Sequence, residues 1–157
     1  MKMNTRAEAV VKRLKEQGVT LATAESCTGG LIGKLLTDVP GASAVYKGGV
    51  ISYVNEIKHR LLGVEQETLD VCTAVSRETA HEMARGARER CGADCGVAVT
   101  GLAGPDGDGT GRPIGLVYIA IDAAGFSFCR ELHLTGGRAA IRAQAAEAVL
   151  DLILEFL

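Results

Sequence analysis

The chain has 157 residues, 17 Lys and Arg against 19 Asp and Glu, and a formal net charge of -2. A composition of 47% hydrophobic and 23% charged residues excludes disorder as the main state. The near-neutral balance excludes a nucleic-acid binder working by bulk charge, and no apolar run approaches the ~20 residues that cross a bilayer. The length suits one domain spanning 1–157. Five cysteines, an odd number in a chain that needs no staples, together with an N-terminus lacking a signal-peptide core, predict a cytoplasmic protein. Trp is absent and aromatics make up 4%, which argues against stacking platforms for single-stranded bases. The outlier is glycine: 20 residues, against an average usage of ~7%.

In chain order, Thr5 to Gln17 places Ala7, Val10, Val11 and Leu14 at helical spacing and ends on Gly18, a C-cap glycine. Thr20 to Ala24 reads as a strand running into Glu25-Ser26-Cys27-Thr28-Gly29-Gly30 and then a helix from Leu31 to Leu36. Pro40-Gly41 is a turn. Val45 to Val54 reads as a second strand, with Gly48-Gly49 marking a bulge or a close backbone approach. Glu56 to Leu62 is helical and stops at Gly63. Ser76 is an N-cap for a helix whose inner face is Ala80, Met83, Ala84 and Ala87. Gly96 to Thr100 is a strand apolar enough for burial on both faces, and it empties into the glycine-dense loop 101–111. Ile114 to Ile121 and Phe126 to Leu134 form a hairpin around Ala124-Gly125, and a last helix runs from Arg138 to Phe156. Alternation followed by a hairpin predicts an α/β fold: three α/β/α layers around a mixed, mostly parallel sheet with a C-terminal hairpin.

Two glycine-bearing loops, 25–30 and 101–111, leave the C-terminal ends of predicted strands, the edge at which open α/β sheets bind ligands. Loop 25–30 would present polar side chains at a helix N-terminus, where free N–H groups and the dipole attract negative charge. A hydroxyl nucleophile there would have an oxyanion hole in the amides of Cys27 to Gly30. Ser26 and Cys27 compete as nucleophile, because adjacent turn residues point different ways. None of His59, His81 and His133 fits a Ser-His-Asp order. A lysine of lowered pKa can serve as base, and Lys34, Lys47 and Lys58 are the candidates. Cys91 and Cys95 lack a second ligand pair and read as two small buried residues, so no metal site is expected.

An ordered series of motifs narrows these alternatives. Ala24-Glu25-Ser26-Cys27-Thr28-Gly29-Gly30, Gly48-Gly49-Val50-Ile51-Ser52-Tyr53 with Asn55 and Lys58, and Ala74-Val75-Ser76 are followed by Thr100-Gly101-Leu102-Ala103-Gly104-Pro105. Gly115 with Val117-Tyr118, and Arg138 with Arg142, complete it. The series, from about residue 5 to 155, resembles the CinA C-terminal domain family. The resemblance implies hydrolysis of the carboxamide of nicotinamide mononucleotide to nicotinate mononucleotide and ammonia, without metal or cofactor. It implies Ser26 as nucleophile, with Tyr53 and Lys58 assisting, although a spacing of five brings those two together on neither a helix nor a strand. It also implies a small-molecule partner, a pyridine mononucleotide, contacted by Thr28, Gly29, Gly30, Gly49, Thr100 and Gly101. The phosphate would fall to Arg138 and Arg142, which share a helix face. A homodimer is an expectation from the family alone, and neither nucleic acid nor membrane is an expected partner. Two other readings stay open: an amidase for another small carboxamide, and a non-catalytic nucleotide-binding module in a competence or damage response.

The chain departs from the family pattern at Thr73, where Gly is usual, and at Leu116, where Thr is usual. A third departure is Asp108, in a loop where a Gly-Gly pair is commoner. The larger N-terminal domain that many CinA proteins carry has no counterpart in these 157 residues. On this reading Gly29-Gly30, Gly48-Gly49 and the run Gly101 to Gly111 form the rim of one pocket.

Overall fold

The computed structural model describes residues 2–157. In order the elements are α1 (Met3–Gln17), β1 (Leu21–Glu25), α2 (Leu31–Thr37), a 3-10 turn (Ala42–Ala44), β2 (Tyr46–Ile51), α3 (Asn55–Leu62), α4 (Gln66–Cys72) and α5 (Arg77–Cys91). They are followed by β3 (Cys95–Gly101), β4 (Leu116–Ala123), β5 (Phe126–His133) and α6 (Arg138–Phe156). The sheet order is β2-β1-β3-β4-β5. β1 pairs in parallel with both β2 and β3, whereas β3–β4 and β4–β5 are antiparallel, so β4 alone runs against the other strands. The expected mixed sheet and C-terminal hairpin are therefore present, the hairpin closing at Ala124-Gly125 between paired Ala123 and Phe126.

The two faces of the sheet differ in side-chain size, and this sets how closely each helical layer can approach. On one face Leu21, Val97, Val99, Ile119 and Ile121 pack against Val10 and Leu14 of α1 and Ile141, Val149 and Leu152 of α6. The opposite face offers Ala22, Ala24, Ala98 and Ala120, on which α5 lays Met83, Ala84 and Ala87. The alternation of large and small follows directly from the period-2 geometry of strands.

α3 packs on the outer side of α5, and there the chains meet backbone to backbone. A Cβ added at Gly86 would lie 2.0 Å from the Leu62 carbonyl oxygen at the end of α3. The glycine thus holds α3, and Lys58 with it, against the body of the protein.

Most strand ends differ from the sequence reading by one or two residues, and three differences stand out. β2 ends at Ile51 rather than Val54, which leaves Tyr53 in the turn leading to α3. Strand β4 begins at Leu116 rather than Ile114. α4 has no counterpart in the sequence reading because its seven residues bury only Leu69, too little periodicity to register. Ser76 caps α5 as expected, its Oγ accepting from the Thr79 amide at 3.2 Å. Among the described residues no helix is long and apolar enough to cross a membrane.

Gly86→Ala should lower the unfolding free energy by about 1–3 kcal/mol, since backbone on both sides leaves no room for a methyl group. Urea denaturation measures this, and an unchanged midpoint would show that α3 is not held by that contact.

Candidate active site

The site forms where β1, β2 and β3 end side by side. Ser26 extends β1 by one more bond, its amide donating to Val99 O at 3.0 Å. Ser52 ties the exit of β2 to that of β1, its amide and its Oγ both donating to Glu25 O, at 2.7 and 3.3 Å. Lys58 then reaches inward from α3. Its Nζ lies 2.9 Å from Ser26 Oγ and 2.7 Å from Ser52 O, and the residue is only 1% exposed. Burial pushes its pKa down from the usual lysine value to about 8, slightly opposed by the neighbouring Cys27 thiol. Near that pH a neutral amine is accessible, and the same contact can carry the Ser26 proton to Nζ.

Geometry sets Ser26 and Lys58 apart from the other candidates. Lys34 pairs with Asp38 at 2.6 Å on an exposed helix face, and Lys47 is exposed on β2. Burial pushes the Cys27 thiol up to about 11, which keeps it protonated and poorly nucleophilic. None of the histidines lines the cavity over Ser26. His81 meets Ser127 and His133 meets Glu131.

The helix N-terminus expected to attract a substrate anion is filled from within. The buried Glu25 carboxylate accepts from Thr28 Oγ1 (2.6 Å) and from the amides of Gly30 (3.1 Å), Ile32 (3.0 Å) and Gly33 (3.0 Å). It supplies the negative charge that the start of α2 favours. The Gly29 amide is also taken, donating to Ser26 O at 3.0 Å. Among the described residues the amides of Cys27 and Thr28 donate to no other residue, and of the two only Cys27 lines the cavity over Ser26, so the oxyanion donors expected over Cys27 to Gly30 narrow to the Cys27 amide. An acidic residue placed immediately before the loop was the available signal for this cap.

A cavity of about 240 Å³ opens over Ser26. Ser26, Tyr53, Lys58, Thr100, Gly101 and Arg138 line it, whereas Thr28, Gly29, Gly30, Gly49 and Arg142 do not. Tyr53 stands at the rim, 56% exposed, with its hydroxyl accepting from Arg138 Nη2 at 2.8 Å and bonded to neither Ser26 nor Lys58. Arg138 also donates to Gly104 O at 2.7 Å. The arginine pair is divided in its work: Arg142 clasps the nucleophile loop from below, donating to Cys27 O and Thr28 O, both at 2.9 Å. Gly49 does sit beside a strand irregularity, but the close approach is internal. A Cβ there would lie 2.1 Å from Thr23 Oγ1 on β1. Of the glycines assigned to the rim, only Gly101 and Gly104 line the cavity. Asn55, Asp106 and Asp108 line it as well and were given no site role from the sequence. Cys95 is buried as expected, while Cys91 is only half-buried.

Comparison with known proteins places this arrangement in a family. The model of the "CinA C-terminal domain" matches residues 3–157. The chain belongs to the CinA C-terminal domain family. It is 50% identical over 149 residues to a CinA-like protein of Geobacter sulfurreducens, covering 94% of this chain and 36% of that protein. With a CinA-like protein of Syntrophomonas wolfei it shares 45% over 150 residues, 96% of this chain and 36% of the relative. The chain thus spans about a third of the length of the curated relatives it matches. Among solved structures, the competence/damage inducible protein CihA from Agrobacterium tumefaciens superposes with a TM-score of 0.94 at 40% identity. That match covers 98% of this chain and 94% of the other. A CinA superfamily protein from Escherichia coli gives 0.97 at 33% identity, covering 99% and 91%. The fold of this CinA-family domain therefore agrees with solved structures of its relatives.

Glu25→Ala would leave three amides and one hydroxyl without their acceptor. It should cost about 2–4 kcal/mol of stability, read by urea unfolding; a loss below about 0.5 kcal/mol would mean that the carboxylate does not hold α2.

Proposed function

We propose that this domain is a cofactor-independent amidase that hydrolyses the carboxamide of nicotinamide mononucleotide to nicotinate mononucleotide and ammonia. The reading rests on one observation above the others: a buried lysine, its pKa depressed by burial to about 8, in direct hydrogen-bond contact with a serine hydroxyl at the mouth of a cavity. Lys58 in its neutral form takes the Ser26 proton as Oγ attacks the amide carbon. The Cys27 amide, on a residue that lines the cavity, is the loop donor offered to the developing oxyanion. The resulting Lys58 ammonium gives its proton to the amide nitrogen as the C–N bond breaks, so that the group leaves as ammonia, and water then hydrolyses the acyl-enzyme with Lys58 again as base. Tyr53 acts at the rim with Arg138 rather than as a proton relay, and Arg138 is the cation offered to the substrate phosphate. The names of the relatives point to competence and damage responses, but a non-catalytic module gives no reason to bury an amine against a serine hydroxyl.

The test is ammonia release from nicotinamide mononucleotide by the wild-type chain, Ser26→Ala and Lys58→Met. Wild type should release ammonia, and each variant should lose at least about 10³-fold in kcat. No release by wild type, or equal release by all three, would sink the proposal. A panel of other small carboxamides identifies the substrate class.

The pH dependence has a defined sign. The base must be neutral, so kcat/KM should rise with pH and level off above the Lys58 pKa of about 8. A profile that is flat between about pH 6 and 9 would remove Lys58 from the role of base.

A further inference from the structure

The segment 72–75, between α4 and α5, supplies Ala74 and Val75 to the cavity over Ser26. Among the described residues it makes no backbone–backbone hydrogen bond outside its neighbouring helices. Its four carbonyls are instead taken by side chains. Cys72 O and Val75 O accept from Arg112 Nη1 at 3.2 and 2.6 Å. Thr73 O accepts from Thr79 Oγ1 at 2.7 Å and from Ser76 Oγ at 3.0 Å, and Ala74 O accepts from Thr100 Oγ1 at 2.8 Å. Arg112 donates further to Thr73 Oγ1. Thr73 itself holds φ 69° and ψ 175°, a conformation disfavoured for a β-branched residue. Left to local preference, this segment would not keep its shape. Thr79, Ser76 and Thr100 belong to α5, its cap and β3, whereas Arg112 alone comes from the long loop on the far side of the cavity. That loop is ordered from within: the Asp108 carboxylate accepts from the Thr110 amide at 3.0 Å, and Thr110 Oγ1 accepts from the Arg112 amide at 3.3 Å.

We infer that Arg112 is a positioning residue that ties loop 101–115 to segment 72–75 and so sets the cavity wall against which a substrate lies. Its kinetic consequence rests on the amidase proposal above. The planar guanidinium presents several donors in fixed directions, which lets one side chain bridge acceptors three residues apart. Arg112 is hydrogen-bonded to neither Ser26 nor Lys58. Its removal therefore loosens the wall that receives substrate and leaves the proton-transfer pair in place.

The experiment compares the full chain carrying Arg112→Ala or Arg112→Lys with wild type, by amide hydrogen–deuterium exchange and by steady-state hydrolysis of nicotinamide mononucleotide. Exchange of the Thr79 and Ala80 amides, which are held by Ser76 at the end of the segment, should quicken by about tenfold in Arg112→Ala while the β1 and β3 amides stay protected. KM should rise about tenfold with kcat within about twofold, and the acid limb of kcat/KM should stay where wild type has it. Arg112→Lys, able to reach some of the same carbonyls, should recover part of both effects; it carries the comparison alone should the alanine variant fail to fold. Unchanged exchange at Thr79 and Ala80, or a fall in kcat at constant KM, overturns the inference. Wild type releasing no ammonia overturns the amidase reading instead, and the exchange comparison then decides the role of Arg112 by itself.

Discussion

The burial of Lys58 against Ser26 is the contact on which the rest of the molecule converges. An amine that is 1% exposed, bonded only to a hydroxyl and a carbonyl, is held without a compensating carboxylate. Such a group is costly in its charged form, and the pKa falls in consequence. The surroundings must therefore be rigid enough to keep it in place. The parallel pairing of β1 with β2, closed by Ser52 on Glu25 O, fixes the acceptor side of the pair. The glycine contact between α5 and α3 fixes the helix that delivers the amine.

Around this pair the protein satisfies its own exposed backbone with charged side chains. Glu25 fills the N-terminus of α2, Arg142 covers the carbonyls of Cys27 and Thr28, and Arg112 covers those of Cys72 and Val75. Each of these groups serves a loop that leaves the regular ladder of the sheet, where buried carbonyl and amide groups would otherwise go unpaired. The loops are consequently stiff without being regular. Among the described residues this arrangement leaves the Cys27 amide, beside Ser26 and on a residue that lines the cavity, without a partner in another residue, a preorganised state of the kind that oxyanion stabilisation needs.

The same internal bonding explains which site expectations met the cavity and which did not. Ser26, Lys58, Thr100 and Arg138 do line the cavity; loop position pointed to Ser26, whereas the parts given to Lys58, Thr100 and Arg138 followed from the family resemblance. Thr28, Arg142 and Gly49 have the residue types of ligand contacts, but their partners are Glu25, two loop carbonyls and Thr23 within the protein itself. A residue type at a helix start does not reveal whether a substrate or a neighbouring side chain will use it. Tyr53 was displaced from its expected relay position because β2 stops at Ile51, which turns the ring toward Arg138 at the rim.

By itself the sequence determined the α/β alternation, the hairpin, the cap at Ser76 and the family to which the chain belongs. These depend on local periodicity, turn chemistry and motif order, which are properties of contiguous residues. Only the tertiary structure shows that, of the three lysines, Lys58 is the one that is buried and that it meets Ser26. That 2.9 Å contact joins residues 32 positions apart, and neither it nor the burial is encoded in any local stretch of chain. The glycine excess shows the same division. Its amount was plain from composition, but Gly18, Gly63 and Gly92 end helices, Gly86, Gly96 and Gly115 let backbones touch, and only the packed chain shows that Gly101 and Gly104 alone of the expected rim line the cavity.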